Sequence, residues 1–137
     1  MKYYVADFET TTREEDCRVW AYGICEVGNI ENITIGTSID DFMLWCRTQE
    51  KNPTVFFHNL KFDGQFIIQW LLLNGFTYVE KEDKASNTFT SLISDKGMWY
   101  QIEVIFQKKG KRVNKIIFQD SLKLIPLSVD GIAKALK

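Results

Sequence analysis

Short segments of alternating hydrophobic and polar residues dominate this chain, and turn-forming Gly, Asn and Asp residues separate them. Alternation with a period of two is typical of β-strands, because successive side chains of a strand point to opposite faces. The predicted strands are Lys2–Phe8, Arg18–Val27, Ile30–Ile35, Pro53–Phe57, Thr77–Glu80, Thr88–Ser94, Trp99–Phe106 and Lys111–Gln119. The turns expected between them include Gly28-Asn29, Asp95-Lys96-Gly97 and Lys108-Lys109-Gly110.

Other segments carry apolar residues at helical spacing and follow residues that commonly begin helices. Ser38 is predicted to be an N-cap, with Asp41 at the capping-box position, although that position prefers Glu. Helices are predicted over 38–49, over 62–73 and from about residue 128. Strands that alternate with helices in this way indicate the α/β class.

Composition is compatible with one globular domain that spans residues 1–137. The chain is 45% hydrophobic and 14% aromatic, which argues against disorder, and no linker or repeat divides it. Its formal net charge of −1 is less basic than that of most nucleic-acid-binding domains. Cys17, Cys25 and Cys46 lack metal-finger spacing, so we expect reduced, buried thiols. Neither a signal peptide nor an apolar segment of membrane length is evident.

Two carboxylates, Asp7 and Glu9, stand at the end of the first predicted strand. Because strand side chains alternate, Asp7 and Glu9 should project to the same side and repel each other unless a cation lies between them. A hard divalent cation such as Mg²⁺ or Mn²⁺ would relieve this repulsion. An Asp-x-Glu pair by itself is more often a polar strand end, and that interpretation is favoured at this point.

A second candidate segment begins where the fourth predicted strand ends. Asn59 lies at an N-cap position and Asp63 lies in or near the first helical turn, so a cap and a helix-dipole partner explain both residues structurally. In open α/β sheets, however, binding sites form beyond the strand ends. Asp7, Glu9 and Asp63 together could therefore form a metal site.

The same residues carry a family resemblance. Asp7-Phe8-Glu9-Thr10-Thr11 resembles the first exonuclease motif of family-B DNA polymerases, and His58-Asn59-Leu60-Lys61-Phe62-Asp63-Gly64 resembles the second. The segments 15–23 and 120–123 resemble those of protein-primed polymerases of small tailed bacteriophages. The resemblance covers nearly the whole chain and implies a ribonuclease-H-like 3′→5′ exonuclease domain that proofreads new DNA, with a mixed central sheet flanked by helices.

The family's third motif, Tyr-x-x-x-Asp, is not found downstream of Asp120-Ser121-Leu122. The fold is thus expected to be truncated at its C-terminal end, without the fourth metal carboxylate and the water-orienting Tyr. The chain is either a fragment of a longer polymerase or the product of a short gene with an incomplete catalytic site.

The resemblance also implies a role for each matching residue. Asp7 should bridge two metal ions, Glu9 should hold one of them and Asp63 the other, with Asn59 positioning substrate or water. Contacts to the single-stranded DNA end are implied for Thr10, His58, Asn59, Phe62, Phe66, Ser121 and Leu122. Four of these contacts have a structural alternative: a satisfied His at position 58, a core Phe at position 66, and a polar cap followed by a core Leu at positions 121 and 122.

The implied reaction is hydrolysis of the terminal 3′ phosphodiester of single-stranded DNA, with Mg²⁺ or Mn²⁺ bound weakly and little or no activity in the isolated chain. The expected partners are a DNA 3′ end and either the terminal protein or the rest of the polymerase, for a monomer in the host cytoplasm. The alternative is a free-standing, non-catalytic phage protein that mimics this domain and binds DNA ends, the terminal protein or a host factor. The basic residues between Lys108 and Lys115 are expected to form a solvated hairpin tip.

Overall fold

A computed structural model describes residues 2–11, 13, 15–93, 97 and 99–121. Within these residues the chain forms a mixed α/β fold, as predicted, with one sheet and two α-helices. The strands are β1 (Tyr3–Thr10), β2 (Val19–Glu26), β3 (Asn29–Gly36), β4 (Thr54–Phe57), β5 (Thr77–Tyr78), β6 (Thr88–Ile93), β7 (Trp99–Lys109) and β8 (Arg112–Asp120). The helices are α1 (Ile39–Arg47), α2 (Leu60–Leu73) and a 3-10 turn at Lys81–Asp83.

The sheet has the strand order β3-β2-β1-β4-β8-β7-β6-β5. Strands β1, β4 and β8 run parallel at its centre, whereas β1–β2, β2–β3, β6–β7 and β7–β8 pair antiparallel. The carboxyl ends of β1, β4 and β8 therefore meet at one end of the sheet. This is the end where a parallel sheet usually places a binding site.

Both described helices pack on the same face of the sheet, because that face carries the large apolar side chains of the central strands. Phe42 of α1 is fully buried and lies edge-on to the rings of Phe8 and Tyr22, at centroid distances of 4.9 and 5.3 Å. Phe57 and Phe118 complete this aromatic core. The packing fixes which side of each central strand faces away from the helices.

The N-terminus of α1 forms as predicted, but its capping box does not close in the expected way. The Asp41 backbone N–H donates to Ser38 Oγ at 3.1 Å, while the Asp41 carboxylate accepts the Tyr22 hydroxyl at 2.6 Å. Burial and this bond together raise the pKa of Tyr22. A Cβ atom at Gly36 would lie 2.3 Å from both side chains, so this position requires glycine.

Several predicted boundaries are wrong by a few residues. Helix α2 begins at Leu60 rather than at Phe62, and β1 continues to Thr10. Strand β7 runs through Lys109, so its hairpin turns at Gly110, where φ is +58°. The hairpin between β2 and β3 likewise turns one residue earlier than expected, with Gly28 at φ +89°. The helix predicted near residue 128 and most of the turn at 95–97 lie outside the described residues.

The three thiols differ in exposure: Cys46 is buried as expected, Cys25 is half-buried and Cys17 is exposed. All three are free thiols. Neither α1 nor α2, the helices of the described part, is long and apolar enough to cross a membrane.

Candidate active site

Asp7 and Glu9 share the face of β1 that points away from the helices. The buried side chains of β1 are Tyr4, Ala6 and Phe8, and the alternation of the strand turns both carboxylates to the other side. Both acids are exposed. They lie within the strand rather than at its end, which corrects the boundary drawn from the sequence.

Close to these acids, the pairing of β1 with its neighbour β4 comes to an end. The parallel pairing of β1 with β4 ends at Ala6 and Phe57. Beyond that pair, a backbone N–H on this edge of β1 needs another acceptor. Asp63, in the first turn of α2, provides it: the Asp63 carboxyl accepts a hydrogen bond from the Phe8 backbone N–H.

Asp63 is the acid with the most strongly perturbed environment at this site. The residue is only 7% exposed. Burial, followed by the charge of Asp7 and then that of Glu9, raises the pKa of Asp63 to about 7, although the hydrogen bond from Phe8 opposes the shift. The fold therefore brings Asp63 within electrostatic reach of both strand carboxylates. These three acids are the ones that the sequence singled out.

The chemistry of these acids fits a hard divalent cation, because carboxylate oxygens are its preferred ligands and a cation would offset their mutual repulsion. Their arrangement is not yet a closed ligand set, however. Among the described residues, no group of three His, Cys, Asp or Glu side chains is placed to hold a metal ion.

His58 and Asn59 follow β4 and are exposed beside this end of the sheet. Asn59 occupies the N-cap position of α2, as predicted, but its side chain makes no capping hydrogen bond. Instead, the Asp120 carboxylate at the end of β8 accepts the Leu60 backbone N–H at 3.3 Å. A cap supplied by a distant strand was not evident from the sequence, and it leaves the Asn59 amide available at the site.

Phe62 and Phe66 form an edge-to-face pair on α2, with ring centroids 5.6 Å apart. Phe62 is 47% exposed, whereas Phe66 is partly buried against the core. Phe66 therefore supports the Phe62 ring, and that ring is exposed to solvent.

The remaining candidate DNA-binding residues that the structure describes are less exposed to solvent than Phe62. Thr10 is half-buried just after an irregularity in the β1–β2 pairing. Ser121 is 1% exposed, and its Oγ has no hydrogen-bond partner among the described residues. Leu122 lies outside the described residues. DNA contacts by these three residues stay predictions.

Comparison with known proteins shows the family to which this chain belongs. Residues 45–137 match the family of type B DNA polymerases, organellar and viral, and the chain belongs to that family.

The chain is similar to the N-terminal region of particular phage polymerases. It is 46% identical over 136 residues to the DNA polymerase of Bacillus phage phi29, and 32% identical over 147 residues to that of Streptococcus phage Cp-1. These matches cover 99% and 98% of this chain but only 23% of either polymerase. Among solved structures, phi29 DNA polymerase complexed with single-stranded DNA matches with a TM-score of 0.84 and 44% identity, over 97% of this chain and 23% of that one.

Proposed function

We propose that this chain is the 3′→5′ proofreading exonuclease part of a protein-primed phage DNA polymerase, with a ribonuclease-H-like fold. The observation that carries the proposal is the position of Asp63, which the Phe8 N–H holds beside Asp7 and Glu9. Membership in the type B polymerase family and the similarity to phi29 polymerase support it. The chain covers about a quarter of the length of those relatives, so we do not propose polymerase activity for the chain itself.

Asp7, Glu9 and Asp63 would hold Mg²⁺ or Mn²⁺ in this function. The bound ions would supply Lewis-acid activation of water and stabilisation of the leaving oxygen. Asp63 must give up its proton to serve as a ligand, because its pKa of about 7 leaves it partly protonated near neutrality. Metal binding should therefore strengthen as the pH rises towards 7 and should level off above it.

The surface around Phe62 suits the end of a single strand. An exposed aromatic ring can stack on a base of any sequence, and such stacking contributes about 1–3 kcal/mol per base. Phe66 holds the Phe62 ring in place, while the exposed His58 and Asn59 lie where the strand end would enter. Thr10, Ser121 and Leu122 complete the proposed DNA-binding set, and the last two are also proposed contacts of the terminal protein.

The test compares residues 1–137 with a version extended through the third exonuclease motif, using a labelled single strand and Mn²⁺. The short chain should degrade DNA slowly or undetectably, and the extended one should be faster by about a hundredfold or more, because positioning losses are of that order. Asp7→Ala should abolish the activity of the extended chain, whereas Glu31→Ala, on the exposed edge strand, should leave it unchanged. Rapid metal-dependent digestion by residues 1–137 alone would contradict the incomplete-site proposal.

A second candidate function is that of a free-standing, non-catalytic phage protein that binds DNA ends. The observation that favours it is the exposed Phe62 ring, which can stack on a base without a metal ion. This function predicts DNA binding that survives both chelation by EDTA and Asp7→Ala, yet weakens in Phe62→Ala. In either case we propose a monomer in the cytoplasm of the bacterial host.

A further inference from the structure

The basic segment between Lys108 and Lys115 is not one surface in the folded chain. The Lys115 ammonium lies 3.3 Å from Glu103, and the Lys108 ammonium donates to the Lys84 carbonyl oxygen at 3.3 Å. Lys109 and Arg112, in contrast, face an open groove between the β7–β8 hairpin and the C-terminal end of α1. Folding thus directs Lys108 and Lys115 to partners within the protein and places Lys109 and Arg112 at the groove.

Arg47, at the end of α1, adds a third cation to this groove of about 740 Å³. We call the groove, defined by Arg47, Lys109 and Arg112, the basic groove. The Arg47 guanidinium lies 5.5 Å from the centre of the Phe106 ring, and the Asn114 side-chain amide donates to the Arg47 carbonyl oxygen at 3.2 Å. The ring contact orients the Arg47 side chain and the hydrogen bond ties its backbone to β8, while the guanidinium edge remains available to an anion.

The cations of the basic groove are not neutralised within the described part of the chain. None of the three forms an ion pair with a described residue, and Glu50 is the one acid among the groove's described lining residues. The chain as a whole carries a net charge of −1, so the basic groove is a local excess of positive charge on a chain that is close to neutral. Acids occupy the candidate active site, and unpaired cations occupy the basic groove.

The two sites lie at opposite ends of the central strands. Strand β8 runs from Arg112 at the groove to Asp120 at the N-terminus of α2, a length of roughly 26 Å at the usual rise per residue. A ligand of the basic groove therefore cannot be the nucleotide at the carboxylates. It must be another molecule, or a part of the same strand several nucleotides away.

We propose that the basic groove binds the phosphate backbone of single-stranded DNA at a distance from the strand end. Arg and Lys suit this ligand because guanidinium and ammonium groups donate to phosphate oxygens without reading sequence. The proposal goes beyond the exonuclease function, since the groove contains no residue of the candidate active site. It would help a chain of net negative charge to hold a polyanion.

The test measures binding of a labelled oligothymidylate to residues 1–137 in EDTA, over a series of NaCl concentrations. Lys109→Met and Arg112→Met each remove a charge but keep an aliphatic side chain. Each should weaken binding at low salt about threefold to tenfold and lower the slope of log Kd against log salt by about 0.7, the value for one phosphate contact on a single strand. Lys81→Met removes an exposed cation from the 3-10 turn and should change neither quantity.

The outcomes separate this proposal from the exonuclease function. Phe62→Ala acts at the other site, so its effect should add to that of Arg112→Met. Loss of binding in Phe62→Ala with unchanged salt slopes in both groove variants would overturn the basic groove and leave the exonuclease proposal standing. Undetectable binding at low salt would overturn the groove as well. Competition by polyglutamate as effective as that by unlabelled DNA would also overturn it, because the groove would then recognise an acidic polypeptide.

Discussion

Asp63 and Glu103 are buried to nearly the same extent, at 7% and 5% exposure, yet their surroundings are opposite. Asp63 faces two further carboxylates and has a raised pKa. Glu103 contacts Lys84 through Oε1, and the Lys115 ammonium lies 3.3 Å from Oε2. Burial acts to raise the pKa of Glu103, but the hydrogen bond from Lys84 and the charge of Lys115 outweigh it and lower the pKa.

The comparison shows that burial by itself does not decide what an acid does. Glu103 has its charge compensated inside the fold, so it contributes to stability. Asp63 is held among like charges that the described residues do not compensate, which costs stability and favours the protonated form. Perturbed acids of the second kind are typical of functional sites, whereas compensated ones are typical of structural ion pairs.

The largest expected effect is that of Asp63→Asn in metal-free buffer. The folded-state pKa of Asp63, about 7, lies above its ordinary value of 3.8, so the protonated form favours folding. The contribution of Asp63 to stability should be complete below about pH 4 and should be lost as the pH rises through 7. Asn keeps an acceptor for the Phe8 N–H, and the variant should gain up to about 4 kcal/mol at pH 8 but little at pH 4. Urea unfolding at both pH values measures this, and a loss of stability at pH 8 would refute it.

Glu103→Gln should have the next largest effect, in the opposite direction. Removing one partner of a buried ion pair typically costs about 3–5 kcal/mol, and the lysines here retain access to water, so we expect about 2 kcal/mol. Because the pKa of Glu103 is lowered, the stability that it provides is present at neutral pH and is lost as the pH falls below its ordinary value of 4.5. Glu31→Gln, at an exposed position of β3, is the control and should change stability by less than about 0.5 kcal/mol.

Mn²⁺ should stabilise the protein through the site that contains Asp63 and not through Glu103. At ten times its dissociation constant, a ligand of the folded state stabilises a protein by about 1.4 kcal/mol. We expect such an increase at pH 8 in the unmodified chain and in Glu103→Gln, but not in Asp7→Ala. Thermal unfolding with and without Mn²⁺ distinguishes these cases. Equal stabilisation of Asp7→Ala would place the ion elsewhere.

The smallest effect concerns the separate causes of the Asp63 shift. Burial is the largest cause, the charge of Asp7 comes next, and that of Glu9 is weaker. Asp7→Asn should therefore lower the pKa of Asp63 more than Glu9→Gln does, and neither should restore its ordinary value. A titration of the Asp63 carboxyl followed by nuclear magnetic resonance would show the order directly. The reverse order would mean that Glu9, not Asp7, is the nearer charge.

Much of the candidate site could be predicted from local patterns. Alternation in β1 correctly separated Phe8 from Asp7 and Glu9, because opposite faces follow from the strand backbone alone. Helical spacing placed Asp63 in the first turn of α2. The boundary errors have two causes. At Thr10 and Lys109 the strand continues because it pairs with its antiparallel neighbour beyond the residues that its own pattern marks. Helix α2 begins earlier than predicted because Leu60 is buried and its N–H bonds to Asp120.

The sequence by itself determined the fold class, the faces of the central strands and the family to which the chain belongs, since these depend on periodicity and on motifs close together in the chain. Only the tertiary structure decided that Asp63 takes the Phe8 N–H, that Asp120 caps α2 in place of Asn59, and that Lys115 joins Glu103 while Lys109 and Arg112 face a groove. Except for the Lys115–Glu103 pair, which spans the β7–β8 hairpin, these arrangements join residues far apart in the sequence. Their formation depends on where a neighbouring strand stops or a helix ends, and no local pattern encodes those distances.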